Sequence, residues 1–347
     1  MNLRFFIATF PLLIGLTLAS CGDEGQTPPP AVVSETWISQ PFIKANIDSV
    51  AFWPERKWIL TTAKSTHEIL VLDAQTGSPI MRFGEQGSNP GQFQRPNGIA
   101  VIDDYMFVVE RDNHRVQALS LPDFKLICIF GENILKRPYG ITLFQKKKKD
   151  SYKIYVTDNH MPNNPTESVL KERVKMFRVH FSGTKERCEY IKSFGSTEKK
   201  GALNKVESLC VDKKYNRLLI ADERELLIKV YELDGNFTGQ ILDRNVFRFE
   251  PEGIDLYVHG DKGIWVIVDQ KEEKSIFHLF NRVGLSHINS FKGKKVANTD
   301  GIVITPLGFP GFPEGGLFAV DDDTRVGSFS WKDIILSVLS GDGPGQL

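Results

Sequence analysis

The sequence is poor in the residues that soft-metal and thiol chemistry need. Its 347 residues hold four cysteines and seven histidines, with no Cys-x-x-Cys pair and no His and Cys set spaced to hold zinc. Net charge is missing too. Lys plus Arg and Asp plus Glu both number 43, so no overall field draws the chain to nucleic acid or to an anionic membrane, and any electrostatic function is local. Long helical periodicity is absent, as is any apolar run of the ~20 residues that a spanning helix needs. What remains is ordinary globular composition, 41% hydrophobic and 25% charged, with length enough for one large core or two smaller ones. A monomer is the default expectation.

The longest apolar stretch lies at the start. Arg4 precedes Phe5 to Leu18, and Leu18-Ala19-Ser20-Cys21 follows at once. A basic start, a short apolar run and small residues before a cleavage point fit a secretory signal. The segment resembles the signal of bacterial lipoproteins, in which the cysteine becomes the acylated first residue. This divides the chain into a signal peptide at 1–20, a lipid-anchored flexible linker at 21–34 and a folded domain at 35–340. Gly22 in place of an aspartate after Cys21 directs the expectation to the outer membrane. Cys128 and Cys210 lie in apolar strand-like runs and read as buried small hydrophobes; an exported chain leaves one disulfide open, with Cys188 the remaining cysteine.

From Trp37 onward, short β-branched and aromatic runs alternate with Gly, Pro and Asp, the pattern of an all-β fold. The runs repeat. Asp48-Ser49-Val50, Asn97-Gly98-Ile99, Tyr139-Gly140-Ile141, Glu207-Ser208-Leu209, Glu252-Gly253-Ile254 and Asp300-Gly301-Ile302 each open with a polar or tyrosine residue, then Gly or Ser, then an aliphatic residue. Their spacing is close to the roughly 40 to 50 residues of a four-stranded propeller blade, except for one longer step that contains the polar insertion Asn159 to Lys171. A second strand with a charged exit follows each opening. The expected fold is therefore a six-bladed β-propeller with a central channel, in which Glu35 to Phe42 completes the last blade after a strand at Gly327 to Trp331. Lys146 to Lys149 reads as a solvated hairpin tip.

If the openings share one end of the channel, Asp48, Asn97, Tyr139, Glu207, Glu252 and Asp300 form a ring. Carboxylates this close repel unless a cation lies between them, and hard oxygen donors around a cavity suit Ca2+. The exits add a second ring of Lys64, Arg111, Asp158, Glu223, Asp269 and Asp322. Metal together with fixed cations is phosphate chemistry, since a phosphate ester needs its oxygens neutralised from several directions.

At this point the chain resembles a known family. Val206-Glu207 through Ala221-Asp222-Glu223, Pro251-Glu252-Gly253-Ile254, Thr299-Asp300-Gly301-Ile302 and Gly316-Leu317-Phe318-Ala319-Val320-Asp321-Asp322 look like the hallmark stretches of β-propeller phytases, best over Lys205 to Asp333. The resemblance implies a calcium-dependent phosphomonoester hydrolase acting on phytate or related esters through a metal-activated water, with more than one Ca2+. It further implies metal ligation by Asp48, Glu207, Glu223, Glu250, Glu252, Asp300 and Asp322, catalytic roles for Glu207, Glu223 and Tyr139, and phosphate binding by Lys64 and Arg111. The departures are Ser49 for a second aspartate, Ser65 for a second lysine and Asp158-Asn159-His160 for a Lys-Glu pair. Fewer charges imply weaker binding, at least one calcium site lost or altered, and a substrate preference not confined to phytate.

Two other classes fit parts of the pattern. Gly91-Gln92-Phe93, Pro96-Asn97-Gly98-Ile99 and Asn113-His114-Arg115-Val116 look like NHL-repeat propellers, which implies a non-catalytic module that binds a partner or polymer. A lactonase-type six-bladed enzyme uses Glu, Asn and Asp around one central calcium and needs neither Lys64 nor Arg111.

Overall fold

The computed structural model describes residues 29–338, apart from 147–149, 164 and 182–185. The expectations for the signal peptide and for Cys21 fall outside these residues. Six antiparallel sheets follow one another along the chain, and each is a blade. The first comprises β3 (Ile47–Trp53), β4 (Trp58–Ala63), β5 (Glu68–Asp73) and β6 (Pro79–Phe83). The second is built from β7 (Pro96–Ile102), β8 (Tyr105–Glu110), β9 (Arg115–Ser120) and β10 (Lys125–Phe130), and the third from β11 (Pro138–Gln145), β12 (Ser151–Asp158), β13 (Val174–His180) and β14 (Arg187–Phe194). The fourth has β15 (Leu209–Asp212), β16 (Arg217–Asp222), β17 (Leu227–Glu232) and β18 (Phe237–Ile241). The fifth has β19 (Glu250–His259), β20 (Lys262–Gln270), β21 (Ile276–Asn281) and β22 (His287–Lys292), and the sixth β23 (Ile302–Thr305), β24 (Gly316–Asp321) and β25 (Arg325–Ser330). The protein is a six-bladed β-propeller.

The ring closes as expected, through a strand from the N-terminal side. β2 (Trp37–Ile38) pairs antiparallel with β25, Trp37 opposite Ser328, and becomes the fourth strand of the last blade. The Trp37 indole also donates to the Ala74 carbonyl of blade one at 3.1 Å, tying the closing strand to both sides of the seam. Apolar clusters fill the spaces between neighbouring blades; the one at the seam packs Ile47, Ile59 and Leu70 of blade one against Phe318 and Val320 of blade six.

Three details differ from the sequence reading. Ala31–Val32, assigned to the linker, form β1 and pair in parallel with β22 as a fifth strand of blade five, with Val33 buried behind them. The strand expected to reach Trp331 stops at Ser330, and Trp331–Val338 is a helix, α2, since α1 is the short Glu167–Leu170 turn inside the long insertion. Trp331, Ile334 and Val338 of α2 are buried at helical spacing, and Trp331 stacks on Tyr257 with ring centroids 4.1 Å apart. Cys128 and Cys188 are not separate buried thiols but a disulfide between β10 and β14, the outer strands of blades two and three; Cys210 is free and buried. Two isolated cysteines in sequence met because consecutive outer strands lie side by side in the ring.

Candidate metal centre in the central channel

The inner strands converge as their repeats predict. Ser49, Gly98, Gly140, Ser208, Gly253 and Gly301, one from each blade, line a small cavity of about 70 Å³ on the axis. At Gly301 a Cβ would come within 2.7 Å of the Asp48 carbonyl of the next blade, and at Gly140 it would collide with the Glu207 carbonyl, so the backbones are too close for a side chain there. In blades one, two, three and five the opening dipeptide sits on a break in strand register, at Asp48-Ser49, Asn97-Gly98, Tyr139-Gly140 and Glu252-Gly253. Such β-bulges re-aim a side chain. Second-strand threonines then fix the neighbouring opening: Thr62 donates to the Asn97 carbonyl at 2.6 Å and Thr157 to that of Glu207 at 2.9 Å.

Two groups of acids result. Glu207, Glu223 and Glu252 each bring a carboxylate oxygen to a common point, all within 4.8 Å of one another, on residues that are half-buried or buried. Asn159 Nδ2 donates to Glu207 Oε1 at 2.8 Å and orients it. Burial, reinforced by the neighbouring Glu207, pushes the Glu223 carboxyl up to about 9. Burial first and then Glu223 and Glu207 drive Glu252 well above the carboxylate range, and Glu207 is raised by burial and by Asp48. Both Glu223 oxygens are buried; Lys205 pairs with Oε2, and Oε1 has no donor among the described residues.

The second group surrounds Lys64. Its ammonium lies 2.6 Å from Asp48 Oδ1 and 3.8 Å from Asp300 Oδ2, on a side chain only 9% exposed. Burial opposes its charge, but Asp48 and Asp300 outweigh this and raise it. Tyr139 Oη donates to Asp48 at 2.8 Å and also meets Glu207, so it links the two groups. Gln270 Nε2 donates to Asp300 Oδ1 at 2.6 Å. Asp300 is raised well above its usual value by burial and then by Asp48.

Several expected members are placed elsewhere. Arg111 does not offer a free cation to the channel; its guanidinium pairs with the adjacent Asp112 at 2.7 Å. Glu250 is exposed and pairs with Lys205 at 2.9 Å, outside the three-glutamate cluster. Asp322 is exposed, because the chain turns through left-handed conformations at Asp322 and Asp323 directly after β24; Asp323 is the acid that meets Asp300 and Lys64, and it accepts from Asn46 at 3.2 Å.

Asp158 and Asp269 belong to a structural set, one position earlier than the channel-facing Asn159 and Gln270. Glu110, Asp158, Asp222, Asp269 and Asp321 each accept backbone N–H bonds from the loop that enters their own blade: Gln94 to Glu110 at 3.1 Å, Arg137 to Asp158 at 2.8 Å, Asn204 to Asp222 at 2.9 Å, Phe249 to Asp269 at 2.8 Å and Ala297 to Asp321 at 3.1 Å. The sequence reading also missed Lys205 and the buried Arg173. The latter donates to the Asp158 carbonyl at 2.6 Å and to Asn159 Oδ1 at 3.3 Å, behind the amide that orients Glu207. A signal for it was present, since Arg-Val opens the third strand at Arg115-Val116, Arg173-Val174 and Arg325-Val326.

A divalent cation fits the three-glutamate point. The donors are hard oxygens, the acids are too close and too dry to ionise together without a counter-charge, and Glu223 Oε1 lacks a donor among the described residues. Asn97, the opening residue of blade two, carries a fully buried amide with both polar atoms unpartnered among the described residues. The ligands would be Glu207, Glu223 and Glu252.

No family model matches the chain. The Drosophila melanogaster protein brain tumor is 23% identical over 156 residues, 45% of this chain but only 13% of that protein. Among solved structures, virginiamycin B lyase from Staphylococcus aureus aligns with a TM-score of 0.52 over 84% of this chain and 82% of its own, at 12% identity. Regucalcin, a calcium-binding protein from Agrobacterium tumefaciens, aligns with a TM-score of 0.53 over 88% of this chain and 97% of its own, also at 12% identity. A streptogramin B lyase aligns at 0.50 over 84% and 97%, with 11% identity. At such identities, what this chain has in common with the three enzymes and binding proteins is their fold.

Proposed function

We propose that the protein is a calcium-dependent enzyme of the lactonase type that cleaves a small ester or lactone in its central channel. The observation that carries this reading is the convergence of Glu207, Glu223 and Glu252 on one point, while the cations expected to bind phosphate are engaged, Lys64 by Asp48 and Arg111 by Asp112. The calcium-binding description of regucalcin supports the choice of ion, and the two lyases support an enzyme on this fold. A bound divalent cation supplies Lewis acidity toward a carbonyl oxygen. The chain's own part is to bring the three glutamates to one point and to orient them. Asn159 fixes Glu207, Tyr139 spans Asp48 and Glu207, and Gln270 fixes Asp300. The buried walls exclude bulk water from these groups, which strengthens every charge interaction among them.

Phosphomonoester hydrolysis is the second reading, favoured by the stretches from Lys205 to Asp333 and by Lys205 itself, a 40%-exposed cation beside Glu223. One set of assays separates the two: acid release from a panel of lactones and carboxylic esters, and phosphate release from phytate and aryl phosphates, each with calcium and with chelator. Calcium-dependent ester or lactone cleavage that disappears in Glu252→Gln is expected. Phosphate release alone would overturn the lactonase reading in favour of the phosphatase, and neither activity would leave the protein a binding scaffold. Anchoring at an outer membrane through Cys21 is a further part of the proposal; Cys21→Ser is expected to move the protein from the membrane fraction to the soluble one.

A further inference from the structure

We infer that the Lys64 ammonium is a built-in second cation, so that the channel holds one metal ion where its acids would otherwise hold two. The inference rests on the proposed metal reading of the three glutamates. Two carboxylate groups share the channel, and they differ in what balances them. Asp48 and Asp300 flank Lys64 Nζ at 2.6 Å and 3.8 Å, and Asp323 contributes a further negative charge. Among the described residues, Glu207, Glu223 and Glu252 have no buried ammonium paired with them; Lys64 acts on Glu207 only from beyond ion-pair distance, and Lys205 reaches them from the rim on a side chain 40% exposed.

An ammonium is a compact point charge with three donors, the nearest thing among side chains to a small cation. Lys64 occupies that role from within the chain: it is buried, and the aspartates around it are buried or half-buried. The surroundings are also those of an ion site. Asn97, which lies between Asp48 and Tyr139 in the ring, is fully buried with its amide oxygen and nitrogen unpartnered, and Tyr139 joins Asp48 to Glu207. Removing the ammonium would leave three aspartates without their cation, a donor set of the hard oxygens that calcium takes, in a ring that also carries the unpartnered Asn97 amide. The lysine thereby sets the ion count and keeps a fixed positive charge beside the first ion.

Calcium bound per folded protein, counted by equilibrium dialysis and by native mass spectrometry, tests this directly. The wild type is expected to bind one ion and Lys64→Met two, the second abolished again in Lys64→Met with Asp48→Asn. If Lys64→Met does not fold, Lys64→Gln keeps a polar head group and is expected to give the same count of two. Two ions in the wild type, or one in a folded Lys64 variant, would overturn the inference and leave the metal centre standing. No ion in either protein would overturn both.

Discussion

A carboxylate stripped of water needs a proton or a cation, and the channel forces that choice on Glu207, Glu223 and Glu252 at once. In the metal-free protein burial shifts all three toward the proton. Glu223 titrates near 9 when folded against 4.5 ordinarily, so the folded state binds more protons than the unfolded one between those values and loses stability as pH rises through that window. Metal-free protein is therefore expected to melt progressively lower from about pH 5 to 9, and saturating calcium, which holds the carboxylates ionised, to flatten that slope. Melting temperature against pH with and without chelator checks both. Glu252→Gln removes one ligand and one buried group that must take up a proton on folding. It is expected to weaken calcium by about a hundredfold or more, beyond the 10- to 100-fold that losing a ligand's supporting partner costs, while raising metal-free stability at pH 8. Arg111→Ala, which breaks only a surface pair with Asp112, is expected to leave calcium affinity unchanged and to cost less than about 1 kcal/mol of stability.

Within each blade, the end of the second strand carries two jobs on adjacent residues, and a period-two strand sends them opposite ways. Asp158 and Asp269 face back to pin the loop entering their blade, and Asn159 and Gln270 face the channel. Here the sequence was legible only in part. The openings align without gaps, so Glu207, Glu252 and Asp300 were found as a ring. The exits contain acids at both positions, and composition alone does not say which one faces inward; the offset follows from the bulges opposite them. Asp322 was displaced by Asp323 for a related reason, a left-handed turn that no residue type there announces. The Cys128–Cys188 bridge was hidden because its partners belong to different blades. The structural acids give a sharp prediction. Asp222 pairs with Lys229 at 2.7 Å, both side chains fully buried, so Asp222→Ala leaves that ammonium with Glu225 at 3.0 Å as its remaining carboxylate, strips the acceptor from the Asn204 N–H, and is expected to destabilise by about 2 to 3 kcal/mol in a denaturant titration.

Closure of the ring is what makes the site possible at the scale of the whole molecule. Glu207, Glu252 and Asp300 are far apart in sequence and come from three consecutive blades, while Asp48 reaches them only because β2 on β25 and the Gly301 contact with the Asp48 carbonyl bring the first blade against the last. A propeller with a ruptured seam would keep its blades and lose its centre. The site is also distant from the outer edges, where the disulfide, β1 and α2 add stability without touching the channel. The most direct test of the account is a calcium titration of thermal stability at pH 7.5, wild type beside Glu207→Gln with Glu252→Gln. An ion bound by the native state alone stabilises it by about 2.7 kcal/mol at a hundred times its dissociation constant. The account predicts a rise of about 4 °C or more in the wild type and a flat response in the double variant; a wild type indifferent to millimolar calcium, or a double variant that responds equally, would contradict it.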